Sequence, residues 1–327
     1  MIKLFYRNGE VRTSSEDLAL LPLEGVLWID IHQPTEEEVR WIRIAAGLEL
    51  PSHGEAEEIE VSSRLYEENG VTFMTATIMI NTDTDSPAVS PVTFMYTPQR
   101  LVTLRFSEPR PFATFAAKIA RLPEQATGDI QKLLGSLMDE IVDRLADILE
   151  NTGASLNSVS SQLFRGVKAP IVARGNTDYS GVLAKISRAG ELTANARESL
   201  VSLARLVRYY CENRRIAPGE DPDEHWAMVR EDISSLSDHA TFLSTKVNFF
   251  LDAVLGRISI EQNTIIKLFS VAAVIFLPPT LIASIYGMNF RAGMFELEWK
   301  YGYAFSLVLM VASAVVTYTW FKRKGWL

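Results

Sequence analysis

Residues 265–290, "IIKLFSVAAVIFLPPTLIASIYGMNF", form a long apolar run in which Lys267 is the only charged side chain. A second run, residues 301–321, contains no charge at all. Both reach the roughly 20 residues that a helix needs to cross a bilayer. The ten residues between them, 291–300, carry four charged side chains. The sequence therefore predicts two membrane-spanning helices joined as a hairpin.

The basic residues around these runs predict their orientation. Lys322, Arg323 and Lys324 follow the second run directly, and Lys246 and Arg257 precede the first. Because basic residues favour the cytoplasmic side, we expect both termini to be cytoplasmic and the short loop to lie outside. In the alternative, both runs are buried helices of a soluble protein. Two apolar runs joined by a short loop and followed by the basic residues 322–324 are hard to bury in a soluble core. We expect a multi-pass protein of the inner (plasma) membrane.

Alternating steps of three and four residues along the first run select a mostly small and polar set of side chains, here called the stripe. Such a 3.5-residue repeat keeps one helix face turned toward a common axis in a parallel assembly. Small residues could equally serve close helix packing. A pore requires several copies of the chain, because one helix cannot enclose a channel. The stripe consists of Asn263, Ile266, Ser270, Ala273, Leu277, Thr280, Ser284 and Gly287.

The chemistry of the stripe restricts which ion could pass and how. It carries no carboxylate. Mg²⁺ gives up its water reluctantly, so rings of amide and hydroxyl oxygens would hold the hydrated ion through its waters. Ile266 and Leu277 would then act as apolar constrictions. Pro278 and Pro279 remove two backbone donors in mid-span, which either exposes carbonyl oxygens to the pore or marks a kink.

The rest of the chain predicts an α+β cytoplasmic domain with long helices. Its β-branched runs are separated by turn signals such as "ENG", which favours a largely antiparallel sheet. Helical patterns follow near 110–121, 128–165 and 178–215, and a last helix is expected from 222 to 289. The predicted divisions are 1–107 (α/β), 108–262 (helical), 263–290 (first span), 291–300 (outer loop), 301–321 (second span) and 322–327 (basic tail).

Composition and motifs exclude several functions. The net charge of −8 argues against nucleic acid as a partner. The four histidines are scattered, and no phosphate-binding loop or nucleophile motif is present, so we expect neither an enzyme, nor a nucleotide partner, nor a prosthetic group. Five acids could bind a hard divalent ion at subunit contacts, although solvated surface charge is the commoner role of such residues. They are Asp83, Asp85, Asp232, Asp238 and Asp252.

The ending of the first span, "YGMNF", together with "FELEWKYGY", "FKRKGWL" and the earlier "EAEEIEVSSRLYEENG", resembles the CorA family of magnesium transporters. The resemblance implies a funnel-shaped homopentamer that takes up Mg²⁺, and often Co²⁺ or Ni²⁺, down the electrochemical gradient. It also implies that Mg²⁺ is both substrate and regulator, with intracellular Mg²⁺ holding the pore closed.

Residue by residue, the resemblance implies a selectivity filter at Gly287, Met288 and Asn289. It implies polar rings at Thr280 and Asn263, apolar constrictions at Leu277 and Ile266, and an acidic position near the gate at Asp252. The outer loop departs from the family pattern, because Met294 is followed by Phe295 where the family has a proline, and Arg291 stands where an acid is common. Glu296 and Glu298 remain as its acids.

Two alternatives stay open from the sequence. A related transporter could carry Zn²⁺ or another transition metal as its main substrate, although the stripe offers no soft or imidazole ligand. A membrane-anchored cytosolic scaffold would use the hairpin only as an anchor and would not need a hydroxyl-bearing stripe.

Overall fold

The computed structural model describes residues 1–14, 21–58, 60–121, 129–164, 178–213, 224–288 and 299–324. Its contacts divide the chain into two compact units, Met1–Leu251 and Asp252–Leu327.

The first unit contains a seven-stranded sheet with the order β2-β1-β3-β7-β6-β5-β4. β3 pairs with β7 in parallel, and the other neighbours are antiparallel. The prediction of a largely antiparallel sheet is confirmed, with one parallel pair that it did not foresee. The strands are β1 (Ile2–Tyr6), β2 (Val11–Thr13), β3 (Val26–His32), β4 (Leu65–Glu68), β5 (Val71–Ile80), β6 (Ala88–Tyr96) and β7 (Leu101–Arg105).

Local sequence explains several of these elements. Asn69 and Gly70 both have positive φ, 52° and 77°, as the two-residue turn between β4 and β5 requires. Thr35 and Glu38 form a reciprocal capping box at the start of the first helix, and Gly47 ends that helix in the left-handed conformation. These short-range signals fix where the chain turns before any long-range contact forms.

The helices agree closely with the predicted segments. The long α5 and α6 pack against each other, α6 also packs on β5, and α4 contacts α5. The last predicted helix is confirmed as one unbroken element of 63 residues, α7, which contributes to both units. The helices are α1 (Glu36–Ala46), α2 (His53–Glu57), α3 (Val61–Arg64), α4 (Arg110–Arg121), α5 (Ile130–Phe164), α6 (Tyr179–Asn213), α7 (Glu224–Tyr286) and α8 (Gly302–Arg323).

A polar network lies inside the sheet where β3 and β7 run in parallel. Arg105 Nε and Nη2 donate to the two carboxylate oxygens of Asp30 at 3.0 and 2.9 Å. Thr103 Oγ1 donates to the same carboxylate and accepts from the indole of Trp28, each at 3.0 Å. All four side chains are buried. Each charge therefore has its partner within the chain, as buried charges require.

The second unit contains the apolar end of α7 and all of α8. These are the two described helices that are long and apolar enough to cross a membrane, and very little of either apolar stretch is buried within the chain. Aromatic side chains cluster at both ends of α8, with Trp299 packed against Tyr301 at one end and Trp320 against Phe321 at the other. Aromatic belts of this kind are typical of membrane interfaces.

Candidate functional site

The stripe lies on an exposed face of α7. Every described member of the stripe is exposed, including the large apolar Ile266 and Leu277, at 62% and 64%. Val271, one position after Ser270, is only 3% exposed. The difference between neighbouring positions shows that α7 has a covered face, while the stripe, like the apolar Phe269, Phe276 and Leu281, is left uncovered by the chain.

The covered face lies on the other side of the helix. Val271 is buried and Ile275, Pro278 and Ile282 are half-buried, a spacing that places them on one face. At 3.6 residues per turn, this face is roughly half a turn around the helix from the stripe. The covered face of α7 therefore lies opposite the stripe, whose polar side chains remain exposed.

The hydroxyl group of Thr280 shows how a polar side chain on this face is satisfied. Its Oγ1 donates to the backbone oxygen of Phe276 at 2.7 Å. The single hydroxyl proton is thereby used, and the oxygen keeps lone pairs that can only accept. Thr264 makes the same type of bond to Ile260, at 2.9 Å, from a less exposed position. An acceptor presented on the stripe suits the water shell of a cation, since those waters donate.

The helix ends within the motif that closes the span. Gly287 still donates its amide to the oxygen of Ala283, four residues back, at 2.9 Å. Met288 donates to the oxygen of Ile285, only three residues back, at 3.3 Å, so the last turn is tighter than an α-helical turn. A Cβ on Gly287 would lie 3.0 Å from that Ala283 oxygen, a close contact. The helix thus ends at Tyr286, shortly before Asn289, the residue predicted to form a ring of amide side chains around the pore. Asn289, Glu296 and Glu298 lie outside the described residues.

Two of the five predicted regulatory acids are engaged by arginines. Asp83 accepts from Arg110 at 2.6 Å and from Arg144 at 3.2 Å, and Asp85 accepts from Arg188 at 3.3 Å. Asp83 and Asp85 are themselves exposed. Either carboxylate would have to leave its guanidinium partner, at least in part, in order to bind a divalent ion. Their role as metal ligands remains a prediction.

Asp232 lies near a group of titratable side chains that sequence reasoning missed. Burial raises the pKa of Asp139 above its ordinary value, and the negative charges of Asp143 and Asp232 act in the same direction. The neighbouring His225 and Lys118 oppose this rise. His225 Nε2 lies 3.5 Å from an oxygen of Asp139. The "DEIVD" spacing on α5, which puts Asp139 and Asp143 one turn apart, was the signal that could have identified them.

Asp238 and Asp252 are both exposed on α7, which agrees with a surface role but does not identify a ligand set. In the part of the chain that the structure describes, no group of three or more His, Cys, Asp or Glu side chains could hold a metal ion. The predicted regulatory acids are therefore not brought together within one chain. That these acids bind a metal ion at contacts between subunits stays a prediction.

Comparison with protein families identifies relatives along the whole chain. The model of the family described as "CorA-like Mg2+ transporter protein" matches residues 24–323. The magnesium transport protein CorA of Escherichia coli K12 is 33% identical over 327 residues, which is 100% of both chains. Its counterpart from Pectobacterium atrosepticum is 33% identical over 305 residues, or 93% of each chain.

Solved structures show that the fold is shared. The complete CorA magnesium transporter of Methanocaldococcus jannaschii is similar with a TM-score of 0.74 and 20% identity, covering 94% of each chain. The full-length CmaX protein gives a TM-score of 0.64 at 16% identity, covering 98% of this chain and 96% of that one. At these identities the likeness concerns the fold, a soluble domain followed by two apolar helices.

Proposed function

The chain belongs to the family of CorA-like Mg²⁺ transporter proteins, and from that premise we propose that it is a homopentameric channel for hydrated Mg²⁺. Its pore is lined by the stripe of α7, and α8 lies outside the pore. The channel lies in the inner (plasma) membrane with both termini in the cytoplasm.

The observation that supports this proposal is the uncovered stripe. A polar face on a membrane-spanning helix is unfavourable against lipid, so it has to meet water or other protein. In this chain the stripe is exposed, while the opposite face of α7 is the less exposed one. Several copies arranged around an axis would turn the stripe toward a common water-filled centre. The number five comes from the family resemblance.

Inward movement needs no chemical energy source. Each elementary charge gains about 2.3 kcal/mol per 100 mV of membrane potential, so a divalent ion gains roughly 4.6 kcal/mol on entering a negative interior. The absence of a phosphate-binding loop from the sequence is consistent with passive flux.

For the selectivity of the pore, we propose an outer ring of Asn289 side chains that binds the ion through its water shell. Rings of Thr280 and Asn263 hold the hydrated ion further in, and Leu277 and Ile266 close the pore by excluding water. Because this lining recognises waters rather than the bare metal, Co²⁺ and Ni²⁺ should also pass. A relative selective for Zn²⁺ would be expected to use softer or imidazole ligands, which the stripe lacks.

For regulation, we propose that intracellular Mg²⁺ bound between cytoplasmic domains holds the pore closed. Exposed Asp252 and Asp238 on α7 are suitable ligands, together with Asp232. Asp83 and Asp85 could contribute after release from their arginine partners. A cation site assembled between copies would explain why the acids do not converge in one chain.

The proposal is tested by Mg²⁺ uptake into liposomes containing the purified protein. Asn289→Ala should abolish uptake while the oligomer remains intact, because the outer ring loses its amide oxygens. Asn248→Ala, an exposed position on α7 outside the stripe, is the matched control and should leave uptake unchanged. Undiminished Mg²⁺ flux in Asn289→Ala would remove the outer ring from the proposal.

A membrane-anchored scaffold makes the opposite prediction for the stripe. If the hairpin is only an anchor, changing Ser270, Thr280 or Ser284 to Leu should be tolerated, since leucine suits lipid. A channel should lose cation flux with the same changes while the oligomers persist. Competition among Mg²⁺, Co²⁺ and Zn²⁺ in the same liposomes measures the order of ion preference.

A further inference from the structure

A cavity of about 290 Å³ lies beside the loop that follows β5, between helices α5 and α6. All of its walls belong to the first unit of the chain. Its polar lining includes Thr82 and Asp83 from the loop, Arg144 from α5, and Lys185 and Arg188 from α6. None of these residues belongs to the stripe, so the cavity is separate from the proposed ion pathway, while Asp83 is also one of the proposed regulatory acids.

The charge of this cavity is opposite to that of the protein as a whole. Its lining has three cationic side chains and one carboxylate, that of Asp83, in a chain with a net charge of −8. Asp85, which accepts from Arg188, is fully exposed. Lys185 has no ion pair among the described residues. The lining therefore retains an excess of positive charge that the chain itself does not neutralise.

Arg144 adds a more specific observation. Its Nη2 donates to Thr82 Oγ1 at 2.8 Å and to Asp83 at 3.2 Å, which accounts for one edge of the guanidinium. Its Nε is buried and has no hydrogen-bond partner in the described part of the chain. A buried donor without an acceptor is unfavourable, so the described chain leaves the Arg144 guanidinium only partly satisfied.

We propose that this cavity binds a phosphate group, either inorganic phosphate or a small phosphomonoester. The planar, always charged guanidinium groups of Arg144 and Arg188 suit tetrahedral oxyanions, and Lys185 adds a compact positive charge. The cavity volume is at the lower end of that of known ligand sites, which favours a small anion over a whole cofactor. This proposal does not depend on the transport function.

The same geometry makes Asp83 a competitor of the anion. The Asp83 carboxylate already occupies part of the guanidinium edge of Arg144, and like charges repel at this range. Removing the Lys185 charge should therefore weaken phosphate binding, whereas removing the Asp83 charge should strengthen it. Both changes neutralise one charge in the same cavity. If they merely destabilised the protein, they would not change phosphate binding in opposite directions.

The test is equilibrium binding of radiolabelled inorganic phosphate to the purified full-length protein in detergent, without divalent ions. Lys185→Gln should weaken binding about tenfold, the loss expected for one charged hydrogen bond of about 1.4 kcal/mol. Asp83→Asn should tighten it severalfold. Lys132→Gln, an exposed change of the same charge on α5 outside the cavity, is the matched control and should bind as the parent does.

Each possible result of the phosphate-binding test leads to a different conclusion. Absence of phosphate binding to the parent protein at millimolar concentration overturns the proposal, as does equal binding by all four proteins. Displacement of the label by AMP would identify a phosphomonoester as an acceptable ligand, whereas displacement by unlabelled phosphate alone would identify the inorganic ion. Because Mg²⁺ uptake is not measured here, a failure of this site and a failure of the channel proposal are distinguishable.

Discussion

The hydrogen-bonding needs of polar side chains are met differently in two regions of the molecule. In the sheet, Asp30, Thr103 and Arg105 are buried and satisfy one another across strands that are far apart in sequence. On the stripe, Thr280 donates its hydroxyl to the backbone of its own helix and remains exposed. The first arrangement is complete within one chain. The second requires water or further copies, which is what a pore would supply.

This comparison predicts that stability and flux respond to different residues. The largest effect on the free energy of unfolding is expected at Asp30. Asp30→Asn leaves the buried Arg105 guanidinium without a counter-charge, which should cost about 3–5 kcal/mol. Thermal unfolding of the detergent-solubilised protein measures the loss.

Asp85→Asn is the matched control for that change, because it breaks a carboxylate–arginine pair at the surface. Exposed pairs contribute little, so the free energy of unfolding of this variant should stay close to that of the parent. Equal losses from the two variants would contradict the view that the Asp30 network is structural.

A smaller effect, up to about 1 kcal/mol, is expected from Glu38→Gln, which keeps a side-chain oxygen for the capping box of α1 but removes the charge that pairs with the N-terminal ammonium. Burial acts to raise the pKa of Glu38, but hydrogen bonds from Ser14, Thr35 and the N-terminal ammonium outweigh it and hold the pKa below its ordinary value of 4.5. The stabilisation from the ionised carboxylate is therefore present above pH 4.5 and is lost as the pH falls through the lower, folded-state pKa.

The measurement is the difference in free energy of unfolding between parent and Glu38→Gln as a function of pH. The difference should be largest near pH 7 and should shrink on acidification below pH 4.5. A difference that grows on acidification would mean that the ionised form of Glu38 is not the stabilising one.

The smallest effect on stability, within about 0.5 kcal/mol, is expected from Thr280→Val, since the lost bond is local and exposed. Its effect on Mg²⁺ flux should nevertheless be large, because the ring loses its acceptor oxygens. Thr264→Val breaks the same kind of bond on the covered side of the same helix and should leave flux unchanged. Equal flux from both variants would argue against the stripe as the lining.

The sequence predicted the features that depend on local pattern. Two apolar runs predicted the two helices that are long and apolar enough to cross a membrane, and "ENG" predicted the turn at Asn69 and Gly70. The ends of the long helices also agreed to within a few residues. In each case the determining residues are neighbours or lie on one face, so their spacing along the chain carries the information.

Long-range pairings were not predictable in the same way. The parallel pairing of β3 with β7 joins segments about 75 residues apart, and so does the bond between Asp30 and Arg105. The arginine partners of Asp83, from α4 and α5, likewise depend on tertiary packing. Spacing alone shows an acidic loop, whereas only the fold shows that arginines already contact it.

The exposed stripe is tested most directly by thiol accessibility during transport. The chain has a single cysteine, Cys211, which a serine replaces to give a parent for single-cysteine variants. We predict that a charged, water-soluble thiol reagent blocks Mg²⁺ flux when the cysteine is at Ser270, Thr280 or Ser284. Cysteine at Val271 or Ile275, on the covered face, should leave flux unaffected. Block at the covered positions with none on the stripe would contradict a pore lined by this face of α7.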